Sequence, residues 1–547
     1  MLKNNISHNT KLYDKILLLF FLFSLLWLKE VNYLFYDIND SPDFSKYFVY
    51  FEYFFSNSYT GLEHGLLYYY LHAIHLHFFF QNQPTLALAL HQSVLDVNFY
   101  IFVIGLLGIF KLLKFFEFSN KSILITLIFL NFFPPSIALR LVFKPELLAF
   151  SLFPWIIYLF EKFKDSKNYV FLIMVIPLVI SIITLKGNIL VITCVYLLIS
   201  NYKIFPMLQF KTIVYLSFVF ITFFTLLTLE NNRANGKNLL DVQSGASQES
   251  NYDYKAPKSI VYKTDLYELF SNPIKHKHAN SFIAITLLET NGDYFDLYWD
   301  NNASQFFKSR HRLLVFEQSN ELKFPKLNFE NKTITIYQQR ATDVYLYETI
   351  ALILSLLLFS SLINAIISAK KYRMYLIAIF IGMGIILIHV ITGFPTNNFD
   401  PLVGDTFKPL YYSFVMMLSV SFMISIYAEK NSFKIRHLLL YCLLVVFILG
   451  FPKKDYSDTV GSFNQKIENS IFCELEKNIY LENTIHSNLT CKNTMKKGGT
   501  NFFVNDLSHK PINLFFIFAN FVVLTFLLFE NKLDSFSSKG KFIKDNQ

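Results

Sequence analysis

Charged residues are scarce in this sequence. Only 16% of the 547 residues are Asp, Glu, Lys or Arg, whereas a soluble protein carries about a quarter. Hydrophobic residues make up 53% of the chain and occur in blocks long enough to cross a bilayer, which takes roughly 20 residues per helix. The composition therefore excludes a soluble globular protein and predicts an all-α polytopic membrane protein.

Signatures of nucleotide and zinc binding are absent as well. The sequence has no Walker A motif, no dinucleotide-binding glycine pattern, no zinc-ligand spacing and no solenoid-length repeat. A nucleotide-driven pump is therefore disfavoured.

Charges are also nearly missing from the middles of the apolar runs, with His389, toward the end of one run, as the main exception. A transporter would place charges at midspan, so this pattern disfavours transport too.

Cysteine is rare, with four in the chain. Cys194 and Cys442 lie in apolar runs, where a thiol behaves as a small hydrophobic group. Cys473 and Cys491 share one long connection, and a disulfide between them suits an oxidising compartment. Two free thiols are the alternative, because spacing alone does not show that two cysteines lie close together.

Twelve apolar runs fit membrane-spanning helices. They are centred on Ile16–Trp27, Val97–Phe115, Ser122–Ala138, Glu146–Leu159, Val170–Ile183, Ile189–Ser200, Thr212–Leu229, Ile350–Ala369, Leu376–Ile391, Ser413–Tyr427, Leu438–Leu449 and Leu514–Leu528. No small-residue cleavage site follows the first run, so we predict a retained helix rather than a signal peptide.

Lysines and arginines in the short connections predict the orientation of these helices. Alternate connections are basic, around Lys111, Lys162, Lys203, Lys370 and Lys430. Cytoplasmic loops carry such an excess, so both termini are predicted to be cytoplasmic and the long connections extracytoplasmic. This distribution accounts for the net charge of +9 without a nucleic-acid partner.

The long connections divide the chain into three predicted parts. An N-terminal membrane module at 1–230 contains a first exterior loop at 30–96. An extracytoplasmic loop domain follows at 231–343, and a C-terminal membrane module at 344–547 contains an exterior loop at 451–512. The loop domain carries two runs typical of strands, "RLLVFEQ" and "KTITIYQQ", which predict a small mixed exterior segment.

The first exterior loop contains "NDSPDFSKYFVYFEYFFSN", in which Asp43 precedes a stripe of aromatic residues. The rings between Phe44 and Phe55 recur at helix spacing, which predicts an amphipathic helix in the membrane interface. Ser41 suits its N-cap, and Asp43 falls in the first turn, where the helix dipole favours a carboxylate. Asp43 either only caps this helix, or it is a base held at the membrane surface with Asp40 nearby.

The second half of this loop, "SYTGLEHGLLYYYLHAIHLHFFF", predicts a turn and a second aromatic helix. Glu63 and His64 lie in the turn, between two glycines. His72 and His75 are three residues apart and share a face, but a third ligand of fitting spacing is missing, which disfavours zinc. We expect these histidines to be polar tips of an interfacial helix.

These loop motifs resemble the GT-C superfamily of glycosyltransferases. The resembling features are Asp-Phe-x-x-Tyr, an aromatic helix and then Leu-Tyr-Tyr-x-Leu, followed by the basic-Pro-acidic turn of "FKPELLAF" and the aromatic stretch "NGDYF". The resemblance covers the layout from Met1 to about Pro409, and its motifs are short. The chain departs at "EHGLLYYY", where relatives commonly have His-Pro, and in the acids around Asp43. These departures leave the branch of the superfamily and the need for a divalent metal ion open.

GT-C enzymes take sugars from polyprenyl-phosphate donors. The resemblance therefore implies an inverting transferase in a membrane such as the bacterial inner membrane, with its site on the periplasmic face. It implies that Asp43, with Asp40, takes a proton from an extracytoplasmic acceptor, which is a glycolipid, a glycan or a protein.

The leaving lipid phosphate requires positive charge on the same face. The candidate cations are Arg140, Lys144, Lys186 and Lys408, and the supporting candidates are Glu63, His64, Glu146 and Asp293. For each cation the alternative is a side chain that reaches the lipid headgroups. Glu146 is expected to pair with Lys144 or Arg140 or to orient them, or merely to favour the start of its helix.

Two other functions fit a multi-pass chain. An O-antigen polymerase or ligase also has a large exterior loop but would rely on exterior arginines. A flippase or transporter of lipid-linked glycans would carry charges at midspan. The elaborate exterior loops favour chemistry at the membrane surface.

Overall fold

The computed structural model describes thirteen stretches of the chain. They are residues 14–29, 65–79, 86–141, 143–202, 204, 208–235, 264–271, 273, 278, 281–292, 330–392, 409–449 and 511–544. Within them the regular structure is helical and no strand occurs.

Seventeen α-helices follow one another along these stretches. They are α1 (residues 14–29), α2 (Leu67–Phe79), α3 (Leu86–Phe115), α4 (Asn120–Phe132), α5 (Pro134–Leu141), α6 (Glu146–Ser166), α7 (Val170–Ile183), α8 (Gly187–Asn201), α9 (Phe210–Asn235), α10 (Leu266–Ser271), α11 (Phe282–Asn291), α12 (Glu330–Ser368), α13 (Arg373–Leu376), α14 (Ala378–Thr392), α15 (Ser413–Glu429), α16 (Ile435–Leu449) and α17 (Pro511–Lys544). Two short 3₁₀ helices, Lys370–Tyr372 and Pro409–Tyr412, precede α13 and α15.

Each of the twelve predicted spans coincides with helical structure, and Val170–Ile183 matches α7 residue for residue. Six helical segments in the described part are long and apolar enough to cross a membrane: Ser93–Phe115, Phe210–Asn231, Glu348–Ser368, Lys370–His389, Pro409–Glu429 and Pro511–Phe529. A seventh is added if the bent pair α4–α5 counts as one span. The chain is thus an all-α, multi-pass membrane protein. The count of twelve spans stays a prediction.

The third predicted span is broken rather than continuous. The axes of α4 and α5 differ by 62°, and the break lies at Phe133. Two prolines, Pro134 and Pro135, follow directly. A proline cannot donate a helical hydrogen bond and forces the preceding residue into an extended conformation, which Phe133 adopts with ψ of 124°.

The prediction of a strand at "KTITIYQQ" is wrong. These residues lie within α12, which continues without interruption into the apolar segment that begins at Glu348. A helix grows by one hydrogen bond per added residue, so a long helix overrides the β-propensity of a short segment. The run "RLLVFEQ" lies outside the described residues. Helices α9 and α12 run across the predicted domain limits at 230 and 343, and the division into domains stays a prediction.

Helix α6 lies at the centre of the bundle and packs closely on α3. Two glycines of α3 permit this approach, because a Cβ on Gly105 would lie 2.7 Å from a ring carbon of Phe150 and one on Gly108 would lie 2.8 Å from Nε1 of Trp155. The Trp155 indole is buried and donates to the carbonyl of Ile104 over 3.0 Å. Small residues at such crossings let helices in a membrane pack backbone to backbone.

The basic connections meet at one end of the bundle, which we call the basic end. There Glu429, at the end of α15, accepts hydrogen bonds from the backbone and hydroxyl of Ser119 and from Ser122 at the start of α4. Lys121 donates to Asn431. At the opposite end of the bundle, α9 contacts α17. There the Glu230 carboxylate accepts hydrogen bonds from the first backbone amides of α17. Helix α15 therefore runs antiparallel to α4, and α9 runs antiparallel to α17.

These antiparallel pairs, together with the positive-inside pattern, predict that the two ends face different compartments. In a chain whose four native cysteines are replaced by alanine, we expect Ser244→Cys to react with a membrane-impermeant thiol reagent added outside intact cells. Ser432→Cys, an exposed position at the basic end, is the matched control and should react only after the membrane is permeabilised. Labelling of both positions from the same side would contradict this topology.

Candidate functional site

The structure describes four of the residues that the sequence pattern assigned to a site: Arg140, Lys144, Glu146 and Lys186. The others lie outside the described residues: Asp40, Asp43, Glu63, His64, Asp293, Lys408, Cys473 and Cys491. Their assigned roles, including the disulfide, stay predictions.

Glu146 and Lys186 form an ion pair between α6 and α8. Nζ of Lys186 lies 2.8 Å from Oε1 of Glu146, whose carboxylate is fully buried at the start of α6. The ammonium also lies 4.4 Å from the ring centroid of Tyr411, a geometry that attracts a cation. The ion-pair partner of Glu146 is thus Lys186, whereas the sequence predicted Lys144 or Arg140. This contact brings together two residues that lie 40 positions apart.

The second oxygen of Glu146, Oε2, is buried and accepts no hydrogen bond from any residue within the described part of the chain. Lys186 itself is partly exposed, at 19% of its side chain. The Lys186 ammonium can therefore still contact a ligand, and Oε2 of Glu146 can still accept a hydrogen bond from one.

Arg140 stabilises the break between α4 and α5. Its guanidinium donates from Nη1 to Oδ1 of Asn131 over 3.1 Å and from Nη2 to the carbonyl of Asn131 over 2.9 Å. In a continuous helix that carbonyl would accept from residue 135, which is Pro135 and has no amide hydrogen. The Phe102 ring covers the guanidinium at 4.7 Å. Arg140 is only 1% exposed, so these contacts replace the backbone bond that the proline removes.

A polar network connects α2 to this break. Asn98 donates to the carbonyl of Arg140 over 3.1 Å and accepts from the Tyr68 hydroxyl over 2.8 Å. The ring of His72 contacts the same Asn98 oxygen through Nε2 at 3.1 Å and the carbonyl of Tyr68 through Nδ1 at 2.9 Å. Sequence reasoning missed Asn98 and Asn131, although a lone asparagine within an apolar run is a usable signal.

His72 is fully buried, so the prediction that it is a polar tip in the interface is wrong. Rings of Tyr68 and Phe143 pack around it at centroid distances of 4.4 and 4.9 Å. Burial lowers the pKa of His72 to about 4, although its contacts with Tyr68 and Asn98 act in the opposite direction. The neutral imidazole has one N–H, so it donates to only one of these two oxygens and supplies no charge to the site.

Gly65, in the middle of the predicted first exterior loop at 30–96, packs directly against the turn that carries Lys186. The amide of Gly65 donates to the carbonyl of Leu185 over 3.0 Å. A Cβ on Gly65 would lie 2.1 Å from the carbonyl oxygen of Thr184, which leaves room for no residue but glycine. Gly65, which directly follows Glu63 and His64 in the sequence, therefore lies beside the turn that carries Lys186.

Two buried carboxylates near the same end were not predicted. Glu289 of α11 and Glu348 of α12 are each 2% exposed, and the Cβ position of Gly292 lies 3.2 Å from Oε2 of Glu348. The neighbouring Asn291 donates to Ser355 and accepts from the Tyr441 hydroxyl. An acidic residue within an apolar helix, as in "FIAITLLETN", is the signal that could have indicated them.

These observations place the buried charges of the described chain in one region. Its buried Asp, Glu, Lys and Arg side chains are Arg140, Lys144, Glu146, Glu289 and Glu348. They lie on α5, the turn into α6, α11 and α12, and α5, α11 and α8 all contact the 3₁₀ helix Pro409–Tyr412. We call this region the polar end. No cluster of three His, Cys, Asp or Glu suited to a metal ion occurs within the described ranges.

The polar end can bind an anion through a partly exposed lysine and can accept hydrogen bonds from a ligand through buried carboxylate oxygens, in surroundings that weaken the competition from water. Both capacities lie on the side of the bundle away from the basic connections. No family model, curated protein or solved structure matches this chain.

Proposed function

We propose that this protein is an integral-membrane glycosyltransferase of the GT-C type. It transfers a sugar, with inversion, from a polyprenyl-phosphate donor to an extracytoplasmic glycolipid, glycan or protein. In this proposal the membrane is the bacterial inner membrane and the site lies on its periplasmic face.

The observation that carries this proposal is the confinement of buried charge to the polar end. Burying an ionisable group in a membrane protein is costly, and such groups are functional candidates by default. A transporter would need them along the middle of a pathway, whereas here they lie at the end that receives the first exterior loop through Gly65. This distribution favours chemistry at the surface over passage through the bundle.

The proposed reaction is a single displacement at the anomeric carbon. Asp43 takes the proton of the acceptor hydroxyl, whose oxygen forms the new glycosidic bond. The bond from the sugar to the donor phosphate breaks, and the lipid phosphate leaves with the electron pair. Lys186 stabilises that anion, aided by Lys144 and Lys408, and Glu146 holds Lys186 in place.

A transfer assay on the Asp43→Asn variant tests the proposal. Asparagine caps a helix as well as aspartate but cannot take a proton. The purified full chain is incubated with a panel of radiolabelled polyprenyl-phosphate sugars and native membrane lipids as acceptors. We expect transfer by the wild type and a loss of about 10²- to 10⁴-fold in the variant, with donor binding and unfolding temperature unchanged.

The outcomes separate the competing functions. Near-wild-type transfer by Asp43→Asn would reduce Asp43 to a helix cap and move the base to Asp40 or Glu63. Extension of lipid-linked glycans without use of a polyprenyl-phosphate monosaccharide would indicate a polymerase or ligase. Movement of labelled lipid across vesicles with no transfer would indicate a flippase.

A further inference from the structure

A cavity at the basic end lies far from the residues assigned to transfer. It is enclosed by the last turns of α6 and α8 and by α13, with about 390 Å³ of empty volume, part of it open to solvent. Its polar lining comprises Glu161, Lys164, Tyr196, Ser200, Asn201, Lys371 and the phenol of Tyr375. The Glu146–Lys186 pair, by contrast, lies at the starts of α6 and α8.

Hydrogen-bond donors dominate this lining. Lys164 pairs with Glu161 at 2.6 Å, which neutralises the one carboxylate, and its remaining hydrogen bond is a long one of 3.5 Å to the carbonyl of Ser200. The Lys371 side chain is exposed at the rim, with its ammonium 5.2 Å from the ring centroid of Tyr372. The cavity therefore keeps an excess positive charge.

Tyr196 supplies the observation that points to a ligand. Its side chain is fully buried, it lines the cavity, and its hydroxyl forms no hydrogen bond to the part of the chain that the structure describes. A buried hydroxyl without a hydrogen-bond partner destabilises the folded state. A ligand oxygen in the cavity would supply that partner.

We propose that this cavity binds a phosphate group, carried by an anionic phospholipid of the leaflet at the basic end. Two ammonium groups and a phenolic hydroxyl match the acceptor oxygens of a phosphate. Basic pockets between membrane helices on the cytoplasmic side bind such headgroups. Beside the cavity, α8 exposes Leu198 and Ile199, at 56% and 44%, along which acyl chains can lie. The proposal is independent of the glycosyltransferase reaction.

The test measures lipid affinity of the purified full chain. Short-chain phosphatidylglycerol, short-chain phosphatidylcholine and inorganic phosphate are titrated separately, with binding followed by native mass spectrometry and unfolding temperature. We expect phosphatidylglycerol to bind the wild type most tightly. Lys371→Met should weaken it by about tenfold or more, because one charged hydrogen bond is lost. The neighbouring exposed Lys370→Met, which does not line the cavity, should change it by less than about twofold.

The Tyr196→Phe variant distinguishes loss of lipid binding from loss of protein stability. Because the hydroxyl has no partner in the described structure, its removal should leave the lipid-free unfolding temperature unchanged or raise it, while weakening phosphatidylglycerol binding several-fold. Stabilisation by inorganic phosphate equal to that by the lipid would support the phosphate site and assign its ligand to a soluble phosphate. Equal affinity in the wild type, Lys371→Met and Tyr196→Phe, or an equal loss in Lys370→Met, would overturn the proposal.

Discussion

Replacing Lys186 with methionine is expected to lower the free energy of unfolding by about 3–5 kcal/mol. The change removes the only cation that the described structure places within 4 Å of the buried Glu146 carboxylate. An uncompensated charge in a low-dielectric interior is far more costly than an intact pair is stabilising. Chemical unfolding of the purified protein in detergent, in the absence of any donor lipid, measures the effect.

A double variant separates the lost pair from lost packing. Lys186→Met combined with Glu146→Leu removes both charges, so most of the lost stability should return. Lys370→Met, on an exposed side chain, serves as the control for loss of one positive charge and should be nearly neutral. If Lys186→Met unfolds like the wild type, the ion pair is not a structural element and Lys186 serves only a ligand.

Arg140→Met is expected to destabilise the protein by about 3 kcal/mol or more, because it leaves two oxygens of Asn131 unpaired in the interior, each costing about 1–3 kcal/mol. Arg140→Lys should fail to restore stability, because one ammonium cannot reproduce the planar fork of a guanidinium. Arg373→Met, an exposed arginine at the basic end, is the matched control.

This experiment also decides between two roles for Arg140. The contacts with Asn131 predict that the loss of stability appears in donor-free detergent solution. Binding of a lipid phosphate alone predicts normal unfolding without donor and weakened donor binding. An unfolding curve identical to the wild type, measured without donor, would contradict the structural role and restore Arg140 to the phosphate site.

Some features of this protein follow from local sequence. The apolar runs predicted the positions of the helices, because helix formation and membrane insertion depend on neighbouring residues. Basic connections predicted helices that alternate in direction, and the contacts of Glu429 and Glu230 show two antiparallel pairs, α15 with α4 and α9 with α17. Two predictions made from local sequence were wrong. Pro134 and Pro135 break a run that hydrophobicity alone makes continuous, and α12 absorbs a segment of high β-propensity.

The partners of polar side chains were decided only by the tertiary structure. Glu146 has two cations within six residues along the chain, yet it pairs with Lys186, because the starts of α6 and α8 lie side by side. His72 is buried because α2 packs on α3 and Phe143, which no periodicity within the first loop reveals. Sequence by itself determined that the chain forms helices across a membrane. Which charges share an end depends on contacts between residues far apart in sequence, and no local pattern contains those.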